Sequence, residues 1–244
     1  TAERMAFDGR DRVVVQTRAP SRIVVIDGPV MSIGDEVRRD TGQEVFHAMT
    51  DSFLACASCH PEGGDDGRVW TFEGIGRRRT PPVRGGIMDT APFHWDGDMR
   101  SFAHLTSEVF TGRMAGNQLT PEQSRALEHW IDRVPAIPVA RPADTASVAR
   151  GEALFRSEEV GCAGCHSGAK FTNNQTVDVG TGSAFQVPTL VGLASRASLM
   201  HDGCATTLRD RFTNTRCGGG DAHGHTTQLE AAQLDDLVAY LRTL

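Results

Sequence analysis

Apolar positions change their spacing along this chain. Near the start they form unbroken β-branched runs, Val13-Val14-Val15-Gln16 and Ile23-Val24-Val25-Ile26, separated by Arg18-Ala19-Pro20-Ser21. Runs of this kind on either side of a turn signal predict two strands of a hairpin. From about Thr41 the spacing becomes helical. Thr41-Gly42-Gln43-Glu44-Val45-Phe46 and Arg150-Gly151-Glu152-Ala153-Leu154-Phe155 read as short helices. Thr120-Pro121-Glu122-Gln123 has the form of a helix start, with Thr as cap, Pro at the first position and Gln at the third. Thr227-Gln228-Leu229-Glu230 is a second capping box, leading into Leu234, Leu237, Val238 and Leu241 on one face. Pro135, Pro138 and Pro142 punctuate the middle and predict an extended linker. The predicted organisation is an extended segment over 1–40, a helical region over 41–137, a linker over 138–143 and a second helical region over 144–244.

The two helical regions repeat one another. Each has an opening helix and then a Cys-x-x-Cys-His segment: Cys56-Ala57-Ser58-Cys59-His60 and Cys162-Ala163-Gly164-Cys165-His166. Each continues through a Pro-containing approach, Thr80-Pro81-Pro82-Val83-Arg84-Gly85-Gly86 against Val187-Pro188-Thr189-Leu190-Val191-Gly192. His94-Trp95-Asp96-Gly97 then matches Met200-His201-Asp202-Gly203, and each region closes on its capped helix.

Composition narrows the class. At 39% hydrophobic and 23% charged, the chain is an ordinary globular protein. Its net charge of −6 provides no basic face for nucleic acid, and no apolar run reaches the length of a membrane span. Aromatic residues make up only 6%, too few to fill two cores easily, so an apolar cofactor would supply missing core surface.

The cysteines say which cofactor. Two thiols three positions apart lie on one side of a helical turn and can add to the two vinyl groups of a haem, with the following His under the iron. Cys56, Cys59 and His60 therefore predict one covalently bound haem c, and Cys162, Cys165 and His166 a second. The fold class is then mostly α: two tandem cytochrome c-like helical domains, with short irregular or β segments at the N-terminus. The haem-free chain is expected not to fold. Thioether-bound haem is assembled outside the bacterial cytoplasm, so a periplasmic or otherwise exported protein is expected, its export signal absent from this sequence. Cys204 and Cys217 remain, and an oxidising compartment favours a disulfide between them, with two free thiols or thiolate ligation of haem iron as the alternative.

Two Cys-x-x-Cys-His domains, with Ala91-Pro92-Phe93-His94-Trp95-Asp96-Gly97 in one and Met200-His201-Asp202-Gly203 in the other, resemble the bacterial di-haem cytochrome c peroxidase and MauG family over about Thr41 to Leu244. The resemblance implies that the N-terminal haem meets hydrogen peroxide and the C-terminal haem passes electrons. It also implies an interdomain tryptophan on the electron path, for which Trp70 and Trp95 are the candidates. A catalytic Glu of the family falls at His104 here, which makes His104 and Trp95 the candidate catalytic residues. An axial Met of the family would fall near Thr215, with no Met nearby. The family's interdomain calcium site uses an Asn where Arg79 stands here, a departure that counts against calcium while leaving it open. The first strand pair is similar to the last strands of a β-propeller blade.

The remaining ligands come from the residues near each site. Met114 is the candidate sixth ligand of the first haem, with Met88, Met99 and His94 as rivals. His223 is the candidate for the second, with His225 as rival. The adjacent Gly218-Gly219-Gly220 would let backbone approach the haem edge. His201 is expected to hydrogen-bond beside the haem. Arg77, Arg78, Arg84 and Arg196 are candidate partners of the haem carboxylates. If both irons carry a side chain on each face, the expected function is electron transfer in a peroxidase-like fold, with a small cytochrome or cupredoxin as redox partner. The alternative is a di-haem peroxidase, or a MauG-like oxidase, with an open N-terminal site.

Overall fold

The computed structural model describes residues 2–18, 20–34, 39–139 and 142–244. Strands β1 (Ala2–Phe7), β2 (Val13–Arg18), β3 (Ser21–Val25) and β4 (Val30–Gly34) form an antiparallel sheet in chain order. The two β-branched runs are β2 and β3, with Val14 opposite Val25 and Val15 opposite Val24. Ala19 of the predicted turn lies outside the described residues. β1 and β4 exceed the predicted hairpin. Their sequences carry little β-branched density, and each pairs along an edge that β2 or β3 leaves open.

The first helical region begins with α1 (Thr41–His47), capped by Asp40 accepting from the Gln43 N–H. The short α2 (Cys56–Cys59) follows, then a hairpin of β5 (Val69–Phe72) and β6 (Gly76–Arg79). After α3 (Phe102–Leu105) the chain runs through a π-helix, Thr106–Arg113. It closes with α4 (Pro121–Asp132), whose Thr120–Gln123 capping box forms as predicted. Helix α1 crosses α4 at Gly42, where a Cβ would lie 2.1 Å from the Ala126 carbonyl oxygen. Only glycine permits that backbone approach, and it brings Phe46 and Leu127 into one core with Ile87, Phe93, Phe102 and Phe110.

The second region repeats the plan. Asp144 caps α5 (Thr145–Arg156), and a single turn of 3-10 helix carries Cys162–Gly164. A small hairpin, β7 (Thr176–Asp178) with β8 (Ala184–Gln186), follows. Then come α6 (Leu208–Thr213), α7 (Thr215–Gly218) and α8 (Ala231–Leu241). Gly151 plays the part of Gly42, its place for a Cβ lying 1.9 Å from the Asp236 carbonyl oxygen. Phe155, Leu190, Leu193, Leu199, Leu237 and Tyr240 form a second buried cluster. Helix α8 starts three residues later than the Thr227 box predicts, with Gln233 accepting from the Glu230 N–H. The reason is Asp221. Its carboxylate accepts from the N–H groups of Thr226 and Thr227 and from the Thr227 hydroxyl, which holds that segment as a turn.

From the Cys-x-x-Cys-His segments to α3 and α6, one constant register relates the two regions. It pairs Cys56 with Cys162, His60 with His166, Gly86 with Gly192, Trp95 with His201 and Ser101 with Thr207. Gly86 and Gly192 both have φ of 73° and both precede a 3-10 turn. His94 and Met200 share a left-handed backbone, at φ 68° and 67°. The bridge between Phe93 and Met99 recurs between Leu199 and Ala205. The predicted 138–143 linker is described except at Ala140 and Arg141, which lie outside the described residues. No helix among the described residues is long and apolar enough to cross a membrane.

Candidate haem sites

The second region encloses an apolar cleft of roughly 1200 Å³, its open mouth included. Cys162, Cys165 and His166 line it on one side and Arg211 and His223 on another. Both cysteines are free thiols, as thioether formation requires. Burial pushes the Cys162 thiol above its ordinary pKa. The imidazoles of His166 and His223 face each other with ring centres 6.3 Å apart. His166 Nδ1 donates to the Phe171 carbonyl and His223 Nδ1 to the Gly218 carbonyl, each at 3.1 Å. Those bonds set the tautomer and leave each Nε2 with a free lone pair. Burial holds both rings neutral, with pKa pushed down to about 4 for His166 and about 3 for His223. A metal bound by imidazole nitrogens at about 2.0–2.1 Å on each side separates the ring centres by about 6 Å. The residues therefore fit a haem iron between two imidazoles.

The loop carrying His223 is tied down at several points. A disulfide joins Cys204 to Cys217. A Cβ on Gly218 would lie 1.8 Å from the Arg211 carbonyl oxygen, and one on Gly219 2.0 Å from that of Val179. The glycines thus admit neighbouring backbone rather than the haem edge. Arg211 Nη2 donates to the His223 carbonyl. His225 is exposed, and its N–H donates to the Val160 carbonyl.

In the first region α2 holds Cys56 and Cys59, with the Ala55 N–H donating to Ser58 Oγ. His60 lies in the interior, and burial lowers its pKa. Its Nδ1 has no protein partner among the described residues. Arg84 bonds the carbonyls of Glu62 at 2.7 Å and Pro61 at 3.3 Å, fixing the segment after His60. Met114 directly follows the π-helix and packs on the core that Cys56 also touches. π-helical turns recur at functional sites because they redirect a side chain without ending a helix. Met88 packs on the same core, whereas Met99 is 3% exposed and belongs to it. His94 Nδ1 lies 3.2 Å from Asp98 Oδ1. His104 stands at the surface of α3, its N–H donating to Ser101 Oγ.

Trp95 belongs to the first region yet lines the second cleft. Its Nε1 donates to the Arg79 carbonyl at 2.8 Å, and the Arg79 guanidinium lies 5.3 Å from its ring centre. The regions exchange backbone bonds here: the Arg79 N–H donates to the His201 carbonyl at 2.6 Å and the Gln186 N–H to the Trp95 carbonyl at 2.7 Å. His201 stacks on Phe185 at 3.9 Å, and Arg78 covers the outer face of Phe185 at 5.2 Å. Trp70 sits apart on β5, 38% exposed, with Nε1 donating to Asp66. Arg79, 3% exposed, has its guanidinium 3.7 Å from Asp65.

Arg196 donates to the carbonyls of Thr189 and Val191, and burial pushes its pKa down to about 9. Its Nε, that of Arg84 and His201 Nδ1 are buried without a protein partner. Buried orphans of this kind await an acceptor, and haem carboxylates suit guanidinium. Arg211 and Phe185 escaped the sequence reading. Arg211 had one signal: the repeat register sets it opposite Leu105, a charge at an apolar position.

Residues 148–244 match the Cytochrome c family. Hydrazine synthase subunit gamma of Kuenenia stuttgartiensis is 30% identical over 78% of this chain and 72% of its own length. The methylamine utilization protein MauG of Methylorubrum extorquens is 24% identical, with the same coverage of each chain. Among solved structures, hydrazine synthase from Kuenenia stuttgartiensis superposes with a TM-score of 0.74 at 26% identity, covering 83% of this chain and 86% of that one.

Proposed function

This chain belongs to the bacterial di-haem cytochrome c peroxidase and MauG family, and from that premise we propose that it carries two covalent haems and transfers electrons between them. The proposal takes residues 41–137 and 144–244 as tandem cytochrome c-like domains joined by 138–143. Cys56, Cys59 and His60 hold the first haem, and Cys162, Cys165 and His166 the second. Haem c supplies one-electron chemistry at its iron. The observation that carries the reading is the opposed pair His166 and His223, whose rings stand 6.3 Å apart. His166 and His223 would hold the second haem between them, and that site would then serve electron transfer alone.

The chain's own residues do the rest. The Phe171 and Gly218 carbonyls keep Nε2 of each histidine unprotonated and aimed into the cleft. Arg196 neutralises haem carboxylate at the second site and Arg84 at the first. Trp95 provides the packed path between the sites, held by Arg79 and by the exchanged backbone bonds. Arg79 stands at the sequence position of the family's calcium-site Asn, and the reading assigns no calcium. A small cytochrome or cupredoxin is the electron partner, met in the periplasm or another exported setting.

One observation favours a peroxidase. His94 is bonded to Asp98 in the first region, and an imidazole so polarised can move a proton to or from peroxide at Nε2. Met114 would hold the first haem as its sixth ligand, and the peroxidase reading would need that place left free for peroxide. Electron paramagnetic resonance with optical absorption decides between these, on oxidised and half-reduced protein, with and without peroxide. Low-spin signals unchanged by peroxide support electron transfer. A high-spin signal that shifts on adding peroxide makes the chain a peroxidase.

A further inference from the structure

The loop that carries His223 is gripped by a single charged side chain. Arg211 lies on α6 and lines the second cleft together with Cys162, His166 and His223. Its guanidinium donates to the His223 carbonyl and its own carbonyl packs against Gly218. The guanidinium also lies 4.7 Å from the ring centre of Phe212. Among the described residues, no carboxylate pairs with it. The guanidinium stands uncompensated beside the cleft.

The first region has no charge at the corresponding position. The repeat register places Leu105 there, packed on the first core.

We propose that Arg211 is a positioning and charge-tuning residue of the second haem, holding the His223 loop and raising the reduction potential of that site. The physical basis is Coulombic. A fixed cation disfavours the ferric state, which carries one more positive charge than the ferrous, and the low-dielectric cleft weakens the screening. Two imidazoles without a thioether ligand leave an iron at lower potential than a His–Met pair. Arg211 offsets part of that difference and keeps the second site able to accept electrons. The proposal rests on His223 as the distal ligand.

The test is a spectroelectrochemical titration of the holoprotein and of Arg211→Leu, Arg211→Gln and Arg211→Lys, with electron paramagnetic resonance on each oxidised sample. At the wild-type midpoint, Arg211→Leu and Arg211→Gln are expected to raise the oxidised-to-reduced ratio of the second haem about tenfold, equal to about 59 mV for a one-electron couple. Arg211→Lys keeps the charge and stays near wild type. An unchanged midpoint in Arg211→Leu and Arg211→Gln overturns the proposal. So does an equal fall in all three variants with a high-spin signal, which would mean a structural tie alone. A wild-type protein without a two-imidazole low-spin signal overturns the ligand reading instead, whatever the midpoints. Should Arg211→Leu fail to fold, Arg211→Gln against Arg211→Lys carries the same comparison.

Discussion

Trp95 and His201 meet edge to face with ring centres 6.4 Å apart, and they occupy the same position of the two repeats. The turn that opens each distal segment thus delivers its second residue to the boundary between the regions. Phe185 and Arg79 extend the contact on either side. These packed rings lie at the boundary between the two halves, next to the second cleft.

Replacing Trp95 with Phe is expected to slow electron exchange between the haems while leaving both attached. Rapid one-electron reduction followed by optical detection of each haem measures the exchange. Trp70→Phe serves as the control, because Trp70 lies away from the boundary and is expected to leave the rate unchanged.

Removing the imidazole of His223 should open the second iron. His223→Ala is expected to convert a low-spin signal to high-spin and to let cyanide or added imidazole bind. His225→Ala is expected to leave spectrum and ligand binding as in the wild type, since His225 faces solvent. The reverse pattern would transfer the ligand role to His225.

The helix crossings at Gly42 and Gly151 leave no room for a methyl group. Gly42→Ala or Gly151→Ala forces the paired helices apart and is expected to cost about 1–3 kcal/mol by overpacking. Denaturant unfolding of the holoprotein reads the loss, and Gly9→Ala, where no atom lies within 4 Å of the added Cβ, is the matched control.

The disulfide between Cys204 and Cys217 joins the His201 turn to the His223 loop. Cys204→Ser with Cys217→Ser is expected to lower stability by about 2–4 kcal/mol. A loosened loop also increases the fraction of high-spin second haem on mild heating, which absorption spectroscopy follows.

Acid should act through Asp236. Hydrogen bonds from Arg150 at 2.7 and 2.8 Å and from Ser147 at 2.6 Å hold its carboxyl below the ordinary value of 3.8. A folded-state pKa below the unfolded one adds stability above the unfolded value, and that stability is lost as pH falls through the folded value. Stability measured from pH 6 down to 2 should therefore fall less steeply in Asp236→Asn than in the wild type. Equal slopes would show that the α5–α8 clasp contributes nothing to acid sensitivity.

The amino-acid sequence by itself determined the class of cofactor, covalently bound haem c, and the repeat. Cysteine spacing is a local property, so the two Cys-x-x-Cys-His segments proposed to hold haem were found without coordinates. The opening helices, the Thr120 cap and the pairing of Cys204 with Cys217 were legible for the same reason, as local signals or as the only thiols left over. The tertiary structure decided what depends on distance across the fold. It brought His223 rather than His225 opposite His166, because Asp221 and the disulfide set where the loop turns. It drew Trp95 to the second cleft and left Trp70 at the surface, because the exchanged backbone bonds join one region's turn to the other's strand. The place of Arg211 at the second cleft followed from the loop packed over it, and no local pattern of charge distinguishes a cleft-lining arginine from a solvated one.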